Sequence, residues 1–480
     1  MSLRKNFAYS GILTVSNYVF PLITFPYVSR VLGVTNIGIC NFVDSIVNYY
    51  VLFSMMGVPL IGIREIAKNS NNRVELDKTF TSLFLLNAMM TCFALIVFII
   101  SIYSVSQLYQ YRELLYYSVL KIVFNMFLIE WFYKGIENFR YITTRNILLK
   151  FVYVVAIFFF VRTKDDYVAY YVISIFIVVL DALINWQYKK NFVTLNFKNV
   201  SLKQYIVPFF SNGVYFILTS VYLSFNITFL GFVSRKEEVG YYTTATKIYG
   251  IFLALFTAFT GVILPRMSSL VGSGDIRTMI RLAQKSFDLL YLICPPLIIL
   301  IIMLSPEIIM IIGGNGFEGA IVPMRIITPL LLIVGMAQIL VFQILAPLKK
   351  DKLLLYNSIT GAFIGLIFNI FLVGHLKSIG SALTLVITEV IVLGLSVYFV
   401  KKQVGGVVIH LKELFRNLFY SIPYVIICFL CKTYFTYSLV VCSLASFFSF
   451  AYFVLIQVYI LKNDEFLSLV KFSLSKRQMR

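Results

Sequence analysis

The run TFTSLFLLNAMMTCFALIVFIISIY, residues 79–103, contains no charged residue and lies between Lys78 and Arg112. A hydrocarbon core about 30 Å thick is crossed by roughly 20 apolar residues of helix, so this run is long enough to span a bilayer. Working outward, thirteen further segments have the same character: 7–31, 37–63, 114–134, 141–161, 167–187, 205–232, 241–265, 287–312, 322–346, 353–373, 379–400, 414–434 and 438–461. The spacing predicts an all-α integral membrane protein with fourteen transmembrane helices.

The cations between the spans are distributed by side. Loops on one side, with both termini, hold 29 Lys and Arg, among them Arg64, Lys68, Arg145, Lys189, Arg266, Lys349 and Lys412. The other side holds 8: Arg30, Arg112, Arg162, Lys164, Arg235, Lys236, Lys377 and Lys432. The positive-inside rule places both termini in the cytoplasm, and a miscounted helix would scramble the alternation.

Composition agrees, with 60% hydrophobic and 13% charged residues, against about 25% charged in soluble domains. The net charge of +20 follows from topology and faces anionic lipid, so no nucleic-acid partner is expected. No short apolar run with a small-residue cleavage site opens the chain, so no removed signal peptide is expected. Every loop is short, the longest running from about Tyr188 to Gln204, so any chemistry belongs in or at the bilayer. Cys428 and Cys431 form a CxxC inside an apolar helix and read as buried thiols. His375 and His410 fall on opposite sides and cannot share a metal. Gly313-Gly314-Asn315-Gly316 lacks the Gly-Lys-Ser/Thr of a P-loop and reads as a tight external turn, which argues against ATP hydrolysis.

Two stretches resemble each other at a spacing of about 200 residues. Ser16-Asn17 matches Ser211-Asn212, Gly33 matches Gly231, Gly38 matches Gly240, and Gly57-Val58-Pro59 matches Gly261-Val262 with Pro265; Arg64 or Arg266 follows. Six helices separate the repeats, so the halves are parallel, an arrangement found in transporters that rock about a central site.

Polar residues recur on one face of several spans: Asn212, Tyr215, Thr219, Tyr222 and Asn226; Thr243, Lys247 and Gly250; Asn41, Asp44, Ser45 and Asn48; Asn357, Gly361, Gly365 and Asn369. Such a face avoids lipid, either by tight helix packing or by lining a wet cavity. Within the spans lie Asp44, Lys121, Glu130, Lys150, Asp181, Lys247, Asp288, Arg325 and Glu389. Glu130, Asp181, Asp288 and Arg325, near span ends, are expected to reach out to the interface. Lys121, Lys150 and Lys247 lie deeper. Either an acid such as Asp44 or Glu389 neutralises them, or they line a chamber that attracts an anionic, polar solute. The chain holds 32 Tyr, which suit both the interfacial belt and the faces of sugars.

The run Pro26-Tyr27-Val28-Ser29-Arg30-Val31-Leu32-Gly33, then Gly38, then Gly57-Val58-Pro59-Leu60-Ile61-Gly62-Ile63-Arg64-Glu65-Ile66-Ala67-Lys68 closely resembles the polysaccharide repeat-unit flippases. These are the Wzx-type O-antigen and capsule transporters of the multidrug/oligosaccharidyl-lipid/polysaccharide exporter superfamily. The specific signal covers about 70 residues, and the remainder matches in helix number, duplication and loop length. The resemblance implies two pseudo-symmetric six-helix lobes of MATE-like form, 1–195 and 196–405, with two C-terminal helices and a tail in 406–480. It implies transfer of undecaprenyl-diphosphate-linked oligosaccharide from the cytoplasmic to the outer leaflet of the bacterial inner membrane, without a covalent step. Arg30 and Arg64 match the family's motif, and either meet the diphosphate or hold a helix end. With Lys121, Lys150, Lys247, Asn212 and Tyr215 they are the candidate substrate contacts. Asp44 and Glu389 are candidate sites for a coupling ion, H+ or Na+; no other cofactor is expected. A polysaccharide polymerase and a chain-length regulator are the expected protein partners.

A drug/cation antiporter of the same superfamily usually has twelve helices and favours an acidic cavity, unlike this chain. A lipid II flippase is closer and stays open on charge alone. A membrane glycosyltransferase or polymerase generally carries a large external loop with acidic catalytic residues. Here the only paired external acids are Asp165-Asp166 and Glu237-Glu238, beside cations, and they read as solvated turns.

Overall fold

The structure, a computed structural model, describes residues 3–197, 200–405 and 411–461; within helices, residues 3–8, 10, 18, 212, 215, 216, 218–223 and 255 are described by their backbone alone. The first elements are α1 (Leu3–Met55), α2 (Val58–Asn69), α3 (Arg73–Ser104), α4 (Ser106–Tyr109), α5 (Arg112–Asn125), α6 (Glu130–Gly135), α7 (Phe139–Phe160) and α8 (Tyr167–Tyr188). A second series follows: α9 (Lys203–Val233), α10 (Lys236–Gly272), α11 (Ile276–Met303), α12 (Ser305–Ile312), α13 (Ile321–Ile327), α14 (Leu330–Gln338), α15 (Asp351–Phe368) and α16 (Gly374–Val404). The last three are α17 (Leu411–Ser421), α18 (Pro423–Tyr434) and α19 (Ser438–Leu455). π-helical turns extend α14, α15 and α19 at Ile339–Leu345, Asn369–Val373 and Ile456–Ile460.

Ten described helices are long and apolar enough to cross a membrane, or eleven with the pair Glu318–Ile327 and Leu330–Leu345, bent by 41°. α1 has 53 residues, about 80 Å of helix at 1.5 Å per residue, far more than one bilayer requires. It breaks at Gly33, whose φ of 75° lies in the left-handed region. α16 breaks at Lys377, with φ 53°. Glu238 holds that second break: its Oε2 accepts from the Ser378 hydroxyl at 2.5 Å and the Ser378 N–H at 3.3 Å, and Lys377 Nζ lies 3.9 Å from Oε1.

Five segments expected as continuous spans are interrupted. The helix breaks at Met56–Gly57, at Met126–Ile129, at Leu304, near Pro329 and at Ile422. Four of these breaks adjoin Pro59, Pro306, Pro329 or Pro423, which lack a donor N–H.

The loops that the charge pattern assigns to one side meet at one end of the bundle. Asn36 Nδ2 donates to the Lys164 carbonyl at 2.7 Å, Thr35 Oγ1 donates to Glu237 Oε1 at 3.0 Å, and Ser29 Oγ donates to the Ile312 carbonyl at 2.7 Å. Glu237 and Glu238 are therefore tied into contacts between loops, in contrast to the solvated turn expected of them. The matching glycines of the repeat touch here. A Cβ on Gly38 would stand 1.8 Å from the Lys236 carbonyl oxygen and 3.1 Å from the Gly240 nitrogen. Gly38→Val is expected to cost about 1–3 kcal/mol of overpacking, seen as a lower melting temperature in detergent.

At the same end Asp166 Oδ2 accepts from the Arg162 N–H at 2.9 Å, the Thr163 N–H at 2.7 Å and the Thr163 hydroxyl at 2.9 Å. The Arg162 and Thr163 backbone donors hold its carboxyl below the usual range. A lowered folded value means that the turn's stabilisation is present above the ordinary Asp value near 4 and lost as pH falls through the folded value. Asp166→Asn should lower the melting temperature at pH 7, and the difference should vanish once the pH has fallen through the folded value.

The opposite end carries Arg64. The connection into α9 is fastened to α3 there: Asp77 accepts from Thr194 N at 2.9 Å and Thr194 Oγ1 at 2.8 Å, and Thr81 Oγ1 accepts from Asn196 N at 3.0 Å. One continuous core joins α1 to α10 near the Gly33 end, through Val28, Leu32, Phe42, Leu230, Val239 and Ala245. A second core, around Ile66, Phe80, Trp131, Tyr133 and Phe209, lies at the Arg64 end. Cys428 and Cys431 are buried with Leu304, Val441 and Ala445. Large apolar side chains such as Phe151, Phe160, Phe371, Phe429 and Phe447 point outward, as a bilayer solvent requires.

Candidate functional site

The second half of α1 repeats Asn41, Asp44 and Asn48 at three- and four-residue intervals, which puts all three on one helix face. Lys121 of α5 meets that face. Its Nζ lies 2.5 Å from Asp44 Oδ1 and donates to Asn48 Oδ1 at 3.1 Å, while Asn48 Nδ2 donates to Asp44 Oδ2 at 3.1 Å. Of the two alternatives for this lysine, pairing with Asp44 is the one observed.

One turn along the same face, Asn41 bridges to α10. Its Nδ2 donates to Thr243 Oγ1 at 3.2 Å and its Oδ1 accepts from Lys247 Nζ at 3.3 Å. The Lys247 ammonium stands 4.5 Å from the centre of the Phe25 ring, an attractive placement for a cation. Thr228 Oγ1 donates to Ser45 Oγ at 2.9 Å beside it. Lys247, from the second series of helices, is thus seated on α1. Among the described residues it has no ion-pair partner within 4.0 Å.

Lys150 is placed elsewhere, against the first half of α1. It donates to Ser16 Oγ at 3.2 Å and to Asn17 Oδ1, with the Phe20 ring centre 5.9 Å away. Glu389 is buried on α16, within electrostatic reach of Tyr249. The side chains of Asn212 and Tyr215 lie outside the described residues. From that stripe Asn226 is described. Its Oδ1 accepts from Asn369 Nδ2 at 2.6 Å and its Nδ2 donates to Tyr242 at 3.1 Å. Asn357 Nδ2 donates to Ser396 Oγ at 2.8 Å. These Asn residues form hydrogen bonds between helices, the packing use of such a stripe.

The two motif arginines differ in setting. Arg30 donates to the carbonyls of Pro26 at 2.9 Å, Met310 at 3.4 Å and Ile311, over Gly314. It caps the carbonyl end of α12, where a cation is favoured. Arg64 is exposed at the other end, 3.7 Å from Glu65.

Glu130 and Asp181, expected to reach out to the interface, instead hold Arg145. Its Nη2 lies 2.9 Å from Glu130 Oε1 and its Nε 2.7 Å from Asp181 Oδ1, and Nη1 donates to Asn185 Oδ1. The Arg145 side chain is 2% exposed. Counting it with the loop cations hid this network; two acids inside neighbouring spans were the signal that a buried cation was due. Asn185 also donates to the Leu128 carbonyl at 2.5 Å, which satisfies the break between α5 and α6. Arg325, another of the four span-end residues, donates from Nε to Ser305 Oγ at 2.7 Å.

Residues 3–271 match a family model described as polysaccharide biosynthesis protein. A protein of Escherichia coli (strain K12) named "Putative O-antigen transporter" is 27% identical over 413 residues, which are 84% of this chain and 98% of that protein. A protein of the same name from Shigella dysenteriae is 22% identical over 403 residues, 81% of this chain and 98% of that one. Among solved structures, the lipid II flippase MurJ in an inward closed conformation has a TM-score of 0.75 at 13% identity, covering 95% of this chain and 99% of that one. An inward-facing MATE-family multidrug resistance transporter has a TM-score of 0.65 at 13% identity, covering 84% and 95%. The fold is that of these multi-pass membrane proteins.

Proposed function

Because the chain belongs to the polysaccharide biosynthesis protein family, we propose that it is a flippase carrying undecaprenyl-diphosphate-linked oligosaccharide repeat units across the bacterial inner membrane. The relatives named as O-antigen transporters, aligned over 98% of their length, support this reading. The observation that carries it is Lys247: a cation from one half of the molecule seated on the other, beside Asp44, Lys121, Asn41 and Asn48. A diphosphate exchanges its hydration for ammonium donors there, while the sugar meets Asn side chains and the prenyl tail stays in lipid.

In this reading the Arg64 end faces the cytoplasm, as do both termini. Gly11–Asn69 and Asp351–Val404, 59 and 54 residues long, each cross twice. With a crossing by Lys203–Val233 the chain makes fourteen passes. The contacts at the Gly33 end close the outer side, and rocking of residues 1–195 against 196–405 exposes the site alternately, with 406–480 alongside. An ion gradient drives the cycle, with H+ or Na+ taken up at Asp44 and Glu389; one charge crossing 100 mV supplies about 2.3 kcal/mol. The released product passes to a polymerase and its chain-length regulator.

The test is complementation of a flippase-deficient strain that makes the matching glycan, with surface polysaccharide and the sidedness of the lipid-linked precursor as readouts. Restored export, lost on neutralising Lys247, supports the reading. Precursor that reaches the outer leaflet without this protein but fails to polymerise overturns it. The likeness to a lipid II flippase favours one second cargo; growth restored to cells depleted of their lipid II flippase would transfer the assignment to it.

A further inference from the structure

We propose that the protein has two gates, each a glycine at one end of the second half of α1 closed directly on backbone from the other half of the molecule, and that both are shut in this structure. The proposal rests on the rocking of the two halves given above.

Gly38 makes the first gate. A Cβ there would overlap the Lys236 carbonyl oxygen at the start of α10. Lys236 fastens the same contact with its side chain, the ammonium standing 3.6 Å from the centre of the Phe42 ring on α1. Thr35 reaches Glu237 beside it at 3.0 Å.

Gly57 makes the second gate, at the Arg64 end. A Cβ there would overlap the Phe209 carbonyl oxygen of α9 and stand 3.1 Å from the Phe209 Cα. The approach is mutual. A Cβ on Gly213 of α9 would stand 2.8 Å from Met56 Sδ and 3.1 Å from the Gly57 nitrogen. Met56, Val58 and Phe209 are buried together around the contact. The stretch from Gly38 to Gly57 is about 28 Å long at 1.5 Å per residue, close to the thickness of the hydrocarbon core. The polar face of Asn41, Asp44 and Asn48, with Lys121 and Lys247 against it, lies between the two closures.

The gates differ in what holds them. The Gly38 gate carries a cation on a ring and a hydrogen bond. The Gly57 gate is apolar and sits where both helices are irregular. Met56 has φ 41°, which residues with a side chain rarely adopt, and Pro208 denies α9 one internal hydrogen bond. α2 can swing about this joint without bending α1, so the Gly57 gate opens at the lower cost.

The experiment measures spin-label distances by double electron–electron resonance on the full chain in lipid nanodiscs. Cys92→Ser and Cys442→Ser leave only buried native thiols. One label pair spans the Arg64 end, at Ser70→Cys and Lys352→Cys, and another spans the Gly38 end, at Asp165→Cys and His375→Cys; all of these positions are exposed. The wild type should show its short distance at both ends. Gly57→Ala should raise the ratio of long to short distances at the Arg64 end by about 5–100-fold, the effect of overpacking one contact, and leave the other pair unchanged. Gly38→Ala should do the reverse. Gly261→Ala, at the repeat position of Gly57 but with open space around it, should change neither. If Gly57→Ala is not recovered folded, Gly213→Ala tests the same contact from α9.

Wild-type distances in folded Gly57→Ala or Gly213→Ala overturn the Gly57 gate. One pair lengthened by both Gly57→Ala and Gly38→Ala overturns the division into two gates, and a wild type already long at one end overturns the doubly closed state. Failure of the wild type to restore export, with both shifts present, would sink the flippase reading and leave the gates standing.

Discussion

Lys247→Met is expected to cut surface-glycan export by roughly 10–100-fold while leaving the protein at normal or raised membrane level. The size follows from one charged hydrogen bond to phosphate, about 1.5–3 kcal/mol, at 1.4 kcal/mol per tenfold. The second half of the expectation comes from the lysine's surroundings. Its ammonium rests on the Phe25 ring and one Asn41 oxygen, with no ion-pair partner among the described residues. A charge deep in a span costs about 2.5–3.5 kcal/mol on insertion scales, and methionine fills similar space without that cost. A purely structural lysine would lose export and melting temperature together; a cargo-binding lysine loses export alone. Lys247→Arg keeps the charge and should retain part of the flux. Wild-type export by Lys247→Met would remove the residue from the site.

Arg145→Ala is expected to destabilise the protein by about 3 kcal/mol, because it empties a buried cation site and leaves the half-buried Asp181 without its partner, while Glu130 keeps Lys134 at 3.2 Å. Glu130 and Asp181 lie 2.9 and 2.7 Å from the guanidinium, and Asn185 ties the same group to the α5–α6 break. Arg145→Lys should recover only part of the loss, since one ammonium cannot reproduce the planar fork that faces both carboxylates. Removing the guanidinium and both carboxylates together, with Arg145→Met, Glu130→Gln and Asp181→Asn, should restore most of the stability, because the desolvation of these three ions disappears with them. Thermal unfolding in detergent measures all three. A wild-type melting temperature for Arg145→Ala would show that the network contributes little.

These residues mark where the sequence is legible. Long apolar runs such as 79–103 admit one solvent, and the alternation of cations between sides follows from the cost of moving charge through hydrocarbon. Both are properties of a segment alone, so class and helix positions are readable without a fold. The same holds for the repeat. Gly38 and Gly240 were visible as matching landmarks, and the close approach of the two helices explains why a side chain is absent from both: a Cβ would meet the Lys236 carbonyl at the first and the Val34 carbonyl at the second. The helix breaks were less legible. Proline adjoins four of them, but the break at Ile129, with φ 40°, depends on Asn185 reaching the Leu128 carbonyl from another helix.

What the sequence determined by itself is therefore the solvent, the helical content and the candidate charges, since these depend on each segment's own transfer free energy. Only the tertiary structure decided the partners of those charges. It gave Lys121 to Asp44, seated Lys247 on Asn41 and Phe25, turned Arg30 into a helix cap, and buried Arg145 between Glu130 and Asp181. Each pairing joins residues on different elements, and an ion pair or a charged hydrogen bond is set by a few ångströms of separation. That separation is fixed by how the helices cross, which no single segment encodes.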